Sequence, residues 1–318
     1  MRALVTGGAG FIGSALGHAL LAQGAAVTVV DNLVTGRREW VPDGARFHCL
    51  SIGDRQLDGV FEDDGPFDYV FHHAALKDVR KALIDPGPDA EANILGTLNV
   101  LRCAAEHETG RFVFPSSAAV YGDAAVRPTP ETAPVAPISP YGISKLACEH
   151  YISFFAHNRG LSAVALRYAT VYGPAAAEES EAGVITIFTR RMLAGRRPVV
   201  FGDGEQTRDF VHVDDVVSAT LAAAERARAP WAVYNVCTGT ETSLNRLYAL
   251  LSKETGYQAP AEYLDRKPGE VLLNAQDPSL MAQELGWLAT TPLRDGLRKV
   301  VAAYREERTL AASAVPVR

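Results

Sequence analysis

Cysteine is scarce in this 318-residue chain: Cys49, Cys103, Cys148 and Cys237 are far apart and show no paired spacing. That excludes a disulfide framework and a cysteine-built metal or redox motif, and leaves reduced, mostly buried thiols. No apolar run reaches the ~20 residues of a membrane-spanning helix. No signal peptide is visible either, because "RALVTGG" at 2–8 is already a strand entering a turn. Basic charge is not in surplus: 31 Lys and Arg stand against 37 Asp and Glu, for a net charge of −6. Nucleic acid and anionic membrane are therefore excluded as main partners. Internal repeats are absent. The expectation is a soluble, cytoplasmic protein.

What is present is an alternation of short apolar runs with amphipathic stretches. "ALVTG" (3–7), "AVTVVD" (26–31), "DYVFHHAA" (68–75), "RFVFPSS" (111–117) and "SAVALRYA" (162–169) read as strands. Segments between them, such as "NILGTLNVLRCAAEH" (93–107), read as helices. Strands alternating with helices predict an α/β fold, a Rossmann-like doubly wound parallel sheet whose ligands bind beyond the carboxyl ends of the strands. The pattern covers 1–173, and "FVHVDDVVSATLAAAERA" (210–227) begins a stretch to 237 that returns to it. Asp214 or Asp215 is expected to cap that helix. The rest of 174–318 predicts a smaller C-terminal domain, with "PAAAEESEAG" (174–183) as a loop and "TLAASAVPVR" (309–318) as a loose tail.

"TGGAGFIGS" (6–14) follows the first strand and opens the first helix. Gly7, Gly10 and Gly13 allow a tight turn and close approach of backbone N–H groups to a pyrophosphate, with Phe11 and Ile12 starting the helix. Such a helix start favours an anion. Asp31, followed by Asn32, ends the second strand. A carboxylate there accepts hydrogen bonds from a ribose diol and repels a 2′-phosphate, so NAD is favoured over NADP.

"SPYGISK" (139–145) starts another helix, with a Ser139 cap and Pro140 in the first turn. Tyr141 and Lys145 are four apart and share a face. Tyrosine loses its proton near pH 10 unaided, and a nearby ammonium favours the phenolate. Lys145 can supply that charge and also reach the nicotinamide ribose. Ser116 and Ser117, ending "FVFPSS", lie where a hydroxyl for the same substrate oxygen would come from.

These motifs, with "HHAA" (72–75), "SSAAVYG" (116–122), "LRYATVYGP" (166–174) and "GDGEQTRDFVHVDDV" (202–216), resemble the extended short-chain dehydrogenase/reductase family. Within it they are similar to nucleotide-sugar epimerases of the UDP-glucose 4-epimerase type, from residue 1 to about 300. The resemblance implies Tyr141 as base, Lys145 as its electrostatic partner and Ser117 as the hydroxyl. It implies Asp54 and Arg55 near the adenine, Ala74, Ala75 and Lys77 along the cofactor, and Asn93 and Tyr168 behind it. Arg208 matches the arginine that grips the substrate diphosphate, as a guanidinium fork suits phosphate oxygens. Thr170 and Asn274 match substrate-side positions, Asn274 standing where some members carry a bulky aromatic. A smaller residue there would admit an N-acetyl group.

The implied reaction oxidises the sugar C4 hydroxyl to a 4-keto intermediate and returns the hydride to the opposite face. The 174–318 domain would hold the nucleotide-diphosphate sugar. A 4,6-dehydratase ranks below, since Ala118 and Ala119 stand where such enzymes carry Asp-Glu and methyl groups cannot move protons. Thr170 keeps a glucuronate 4-epimerase or decarboxylase open, although Glu178, Glu179 and Glu181 would repel a sugar carboxylate. Outside enzymes, a dinucleotide sensor is the alternative, disfavoured by the intact Ser117, Tyr141 and Lys145. No metal is implied, since His72 and His73 lack a third ligand. A homodimer is expected from the resemblance, through the helices bearing Tyr141 and 93–107, with Leu98, Leu101, Phe154 and Phe155 facing either the partner or the core.

Overall fold

The computed structural model describes residues 1–174, 183–266 and 271–313, with side chains to 310. Most of the 174–183 loop, including Glu178, Glu179 and Glu181, lies outside these residues, as do "KPGE" at 267–270 and the end of the tail.

Seven parallel strands form the central sheet, in the spatial order Trp231–Val236, Ala163–Tyr168, Arg111–Ser117, Tyr69–His72, Arg2–Thr6, Ala26–Asp31 and Arg46–Cys49. From Arg2–Thr6 the chain builds outward to one edge, then returns and builds toward the other. That reversal leaves a crevice at the carboxyl ends of Arg2–Thr6 and Tyr69–His72, the place where doubly wound sheets bind ligands.

The strands are nearly continuous apolar runs because both faces are covered; all six residues of Ala163–Tyr168 are buried. On one face Leu16 and Leu20 of the helix Phe11–Ala22 pack with Val216 and Ala223 of Val213–Arg226. On the other, Val100 and Leu101 of Gly96–Glu106 pack with Cys148 and Ile152 of Pro140–Arg159. Full burial of a side chain such as Leu101 contributes about 1.5–3 kcal/mol. A third core joins Phe188 of Val184–Leu193, Leu247 and Leu251 of Leu244–Thr255, and Leu297 and Val300 of Leu293–Ser313.

Two expectations are revised, and one left open is resolved in part. The helix read at 93–107 starts earlier: Gly87–Ala90 runs through a wide turn, Glu91–Leu95, into Gly96–Glu106. The cap of Val213–Arg226 is His212, whose Nδ1 accepts the Asp214 N–H at 3.2 Å. Asp215 instead accepts from the Thr290 and Thr291 backbone N–H groups at 3.0 and 3.1 Å, tying the segment 290–291 to this helix. Of the four residues left between partner and core, Leu101 is fully buried and Leu98 and Phe155 are half-buried, while Phe154 is 50 % exposed.

Candidate active site

The glycine turn is built so tightly that side chains are sterically excluded. Gly7 has φ +70°, and a Cβ there would lie 2.5 Å from the Ala74 nitrogen. A Cβ on Gly13 would lie 2.2 Å from the Gly7 oxygen. Backbone thus meets backbone between the turn, the first helix and the segment after Tyr69–His72. The helix Phe11–Ala22 starts at Gly10 with no side-chain cap and no acidic residue in its first turn. Its N–H groups and positive dipole end are left for an anion.

Asp31 is 8 % exposed and organises the neighbouring loop. Its Oδ2 accepts the Ala9 N–H at 3.0 Å and its Oδ1 accepts the Leu33 N–H at 2.8 Å. Asn32 holds the same loop, its Nδ2 donating to Ser51 Oγ at 3.0 Å and its Oδ1 accepting from the Val34 N–H at 3.2 Å. Around these groups lies a cleft of about 640 Å³ that runs from Asp31 past the glycine turn to Ser117, Tyr141 and Lys145. Gly7, Gly10, Phe11, Ile12, Gly13, Asn32, Ala74, Ala75, Lys77 and Tyr168 also line it. The cleft offers amide N–H groups, one carboxylate and one buried ammonium, a set of donors and an acceptor that fits a dinucleotide.

At the other end the Tyr141 helix begins against the strand Arg111–Ser117. Ser139 Oγ accepts the Gly142 N–H at 3.2 Å as expected of the cap. A Cβ on Gly142 would lie 2.7 Å from the Ala119 oxygen, so only glycine lets the helix start this close. The two serines separate here. Both line the cleft, but the buried Ser116 donates its hydroxyl to Glu149 Oε1 at 2.5 Å, whereas Ser117 is only half-buried and accepts the Ala119 N–H at 3.1 Å.

Lys145 is buried, its Nζ donating to the Pro115 carbonyl at 2.7 Å and lying 5.8 Å from the Tyr141 ring centre and 4.5 Å from that of Phe114. Burial pulls its pKa down to about 8, against the charges of Cys148, Asp89 and Glu149. Burial pushes the Tyr141 phenol up to about 12, with the Ser117 hydroxyl pulling the other way. Within the protein alone, desolvation of the phenol therefore outweighs the help expected from the ammonium.

The remaining cofactor-side positions differ in distance from the cleft. Asn93 lies behind its wall, bonded through Oδ1 to the Leu76 N–H and through Nδ2 to the Leu76 carbonyl, both at 2.8 Å. The Tyr168 ring lines the cleft while its hydroxyl bonds Thr220 Oγ1 at 2.7 Å. His72 is enclosed between Thr6 Oγ1 and Thr97 Oγ1, at 2.7 and 2.9 Å. Because Thr97 donates to the Asn93 carbonyl at 2.5 Å, it accepts from His72, whose Nε2 is then the protonated nitrogen. Asp54 and Arg55 are exposed and outside the cleft lining, Asp54 Oδ2 accepting the Ser51 N–H at 3.1 Å.

Thr170, Arg208 and Asn274 also stand outside this cleft. Arg208 and Asn274 share a neighbourhood: Arg208 Nη1 donates to the Thr207 carbonyl at 2.7 Å, and Thr207 Oγ1 accepts the Asn274 N–H at 3.2 Å. Asn274 Oδ1 accepts from Gln276 at 2.7 Å. Thr170 pairs with the strand Phe210–His212, its N–H donating to the Asp209 carbonyl at 2.9 Å.

Sequence reasoning missed several lining groups. Arg37 lies over the Trp40 ring at 5.2 Å, and Leu76 and Pro115 also face the cleft. Trp40 could have been noticed as one of only three tryptophans, close after the acidic strand end. Leu76 and Pro115 carry no chemical signal, since the chain uses their backbone.

Residues 3–237 match the NAD dependent epimerase/dehydratase family. A putative UDP-glucose 4-epimerase of Methanocaldococcus jannaschii is 39 % identical over 94 % of this chain and 96 % of its own. The UDP-glucose 4-epimerase of Thermotoga maritima, solved with UDP-glucose, superposes with a TM-score of 0.94 at 42 % identity, over 97 % of this chain and 100 % of that one. A UDP-N-acetylglucosamine 4-epimerase from Methanobrevibacter ruminantium superposes with a TM-score of 0.90 at 32 % identity, over 96 % and 98 % of the two chains. Likeness over the full length, on a cleft whose donors suit a dinucleotide, identifies this chain as a member of the NAD-dependent epimerase/dehydratase family and, within it, of the nucleotide-sugar epimerases.

Proposed function

We propose that the chain interconverts the C4 epimers of a UDP-hexose, with Tyr141 taking the proton of the sugar O4, Ser117 hydrogen-bonded to the same oxygen and Lys145 as the buried cation beside them. The observation that carries this is the meeting of Ser117, Tyr141 and Lys145 at one end of the glycine-turn cleft. When bound, NAD would supply a reversible hydride acceptor for C4 and a positive charge that favours the phenolate. The protein's part is to move the proton: positive charge beside the phenol favours the phenolate, which would take the O4 proton as C4 is oxidised and return that same proton to the 4-keto oxygen when the hydride comes back. Gly7, Gly10 and Gly13 would take the pyrophosphate and Asp31 the adenine ribose.

Arg208 would pair with the substrate diphosphate. Asn274, close to it through Thr207, supports a second substrate, UDP-N-acetylglucosamine, because an amide occupies less space than the bulky aromatic some relatives place there. Ala118 and Ala119 beside Ser117 offer no acid or base, which argues against dehydration. A homodimer is supported by Leu95, Tyr151 and Phe154, exposed at 60 %, 43 % and 50 % on the neighbouring helices. Four free thiols suit the reducing cytoplasm.

Proton NMR of the protein with NAD and UDP-glucose, UDP-N-acetylglucosamine or UDP-glucuronate separately tests the reading. Appearance of the C4 epimer from either neutral sugar supports it. Epimerisation of the glucuronate alone, a 4-keto-6-deoxy product or release of carbon dioxide would overturn it.

A further inference from the structure

Two walls of the cleft are joined by one buried carboxylate. Leu76, on the cofactor side, has both its N–H and its carbonyl held by the Asn93 side chain. Asn93 Nδ2 also donates to Asp89 Oδ2 at 2.9 Å, and Ser144 Oγ donates to Asp89 Oδ1 at 2.5 Å. Ser144 adjoins Lys145 on the Tyr141 helix. Asp89, Asn93 and Ser144 are 4 %, 2 % and 3 % exposed, so the chain of bonds is shielded from water. Asp89 lies in Gly87–Ala90 and Asn93 in the wide turn Glu91–Leu95 that continues it, so acceptor and donor sit on consecutive turns.

We propose that Asp89 is a positioning residue for the reaction: its carboxylate holds the cofactor-side wall against the Tyr141 helix and places one negative charge beside the Tyr141–Lys145 pair. This rests on the assignment of Tyr141 as the base. The groups that face the pair are Ser117 from the strand end, His72 and His73 from the strand beside it, Cys148 and Glu149 from the same helix, and Asp89. A negative charge at Asp89 raises the proton affinity of both members. It keeps Lys145 an ammonium, and it keeps Tyr141 a phenol until a cofactor charge opposes it.

Asp89→Asn keeps an acceptor for Asn93 and offers Ser144 a donor, while removing the charge. The pH profile of kcat/KM for that variant is expected to move to lower pH on both limbs, by about half a unit or more. Ser144→Ala keeps the charge and breaks the bridge; its limbs should stay in place while NAD retention falls several-fold. If Asp89→Asn does not fold, Asp89→Ser removes the same charge with less bulk and gives the same readout. Superposition of the charge-removing profile on that of the unaltered protein overturns the proposal, as does an equal shift in Ser144→Ala. Tyr141→Phe in the same series separates the two readings: turnover there would overturn the base assignment itself.

Discussion

Lys145 reaches back from its helix to donate to the carbonyl of Pro115 at 2.7 Å, two residues before Ser117. The bond ties the Tyr141 helix to the end of a central strand. It also fixes a buried cation where the phenol and the strand-end hydroxyl meet.

Tyr141→Phe is expected to leave NAD binding intact and lower kcat by a factor of about 10² or more, the usual worth of a positioned proton acceptor. Stopped turnover with retained cofactor, measured by absorbance of the released nucleotide after denaturation, checks it. Wild-type turnover in the variant would sink the assignment.

The Lys145 ammonium is depressed to about 8 by burial. Between that value and the unfolded lysine pKa near 10.4, the unfolded chain holds a proton that the folded chain has released. Lys145 therefore makes stability rise with pH across this window, and its burial as a cation costs on the order of a few kcal/mol below it. Lys145→Met should remove that rise. Urea midpoints of the two proteins between pH 7 and 10.5 read the difference directly.

Asp31→Ala leaves the N–H groups of Ala9 and Leu33 without their acceptor beside the cofactor cleft. NAD affinity should fall by about tenfold or more, and the preference over NADP should shrink. Isothermal titration with both dinucleotides decides it; unchanged discrimination would show that Asp31 serves the loop and not the ribose.

Gly13→Ala puts a Cβ 2.2 Å from the Gly7 oxygen, where backbone has to move. We expect about 1–3 kcal/mol lost in stability together with loss of copurifying NAD. Thermal melts and cofactor content of the purified variant are the measurements.

Arg167 and Glu149 form a buried pair, with guanidinium bonds of 3.0 and 2.7 Å to the two carboxylate oxygens. Arg167→Met strands the carboxylate and should cost about 3–5 kcal/mol. Adding Glu149→Leu should recover much of that loss, and an uncorrected loss in the double variant would mean the pair contributes more than its own charges.

Much of this molecule is legible along the chain because its cues are local. The strands Ala26–Asp31 and Arg111–Ser117 coincide with the apolar runs that announce them, since both faces of the sheet are covered. The glycine turn and the Ser139 cap are equally plain, as each needs only its own few residues. Where the expectation moved, a partner far along the chain had decided. Thr290 and Thr291 claim Asp215, leaving His212 as the cap.

By itself, then, the sequence determined the fold class, the dinucleotide turn and the shared helix face of Tyr141 and Lys145, because spacing on one strand or one helix is set by backbone geometry, while the choice of Ser117 over Ser116 rested on the family resemblance. Only the tertiary structure decided the proton affinities of Tyr141 and Lys145 and the bridge from Leu76 through Asn93 and Asp89 to Ser144. Burial and the company of distant side chains set those quantities, and neither exists until the sheet and its helices have closed around them.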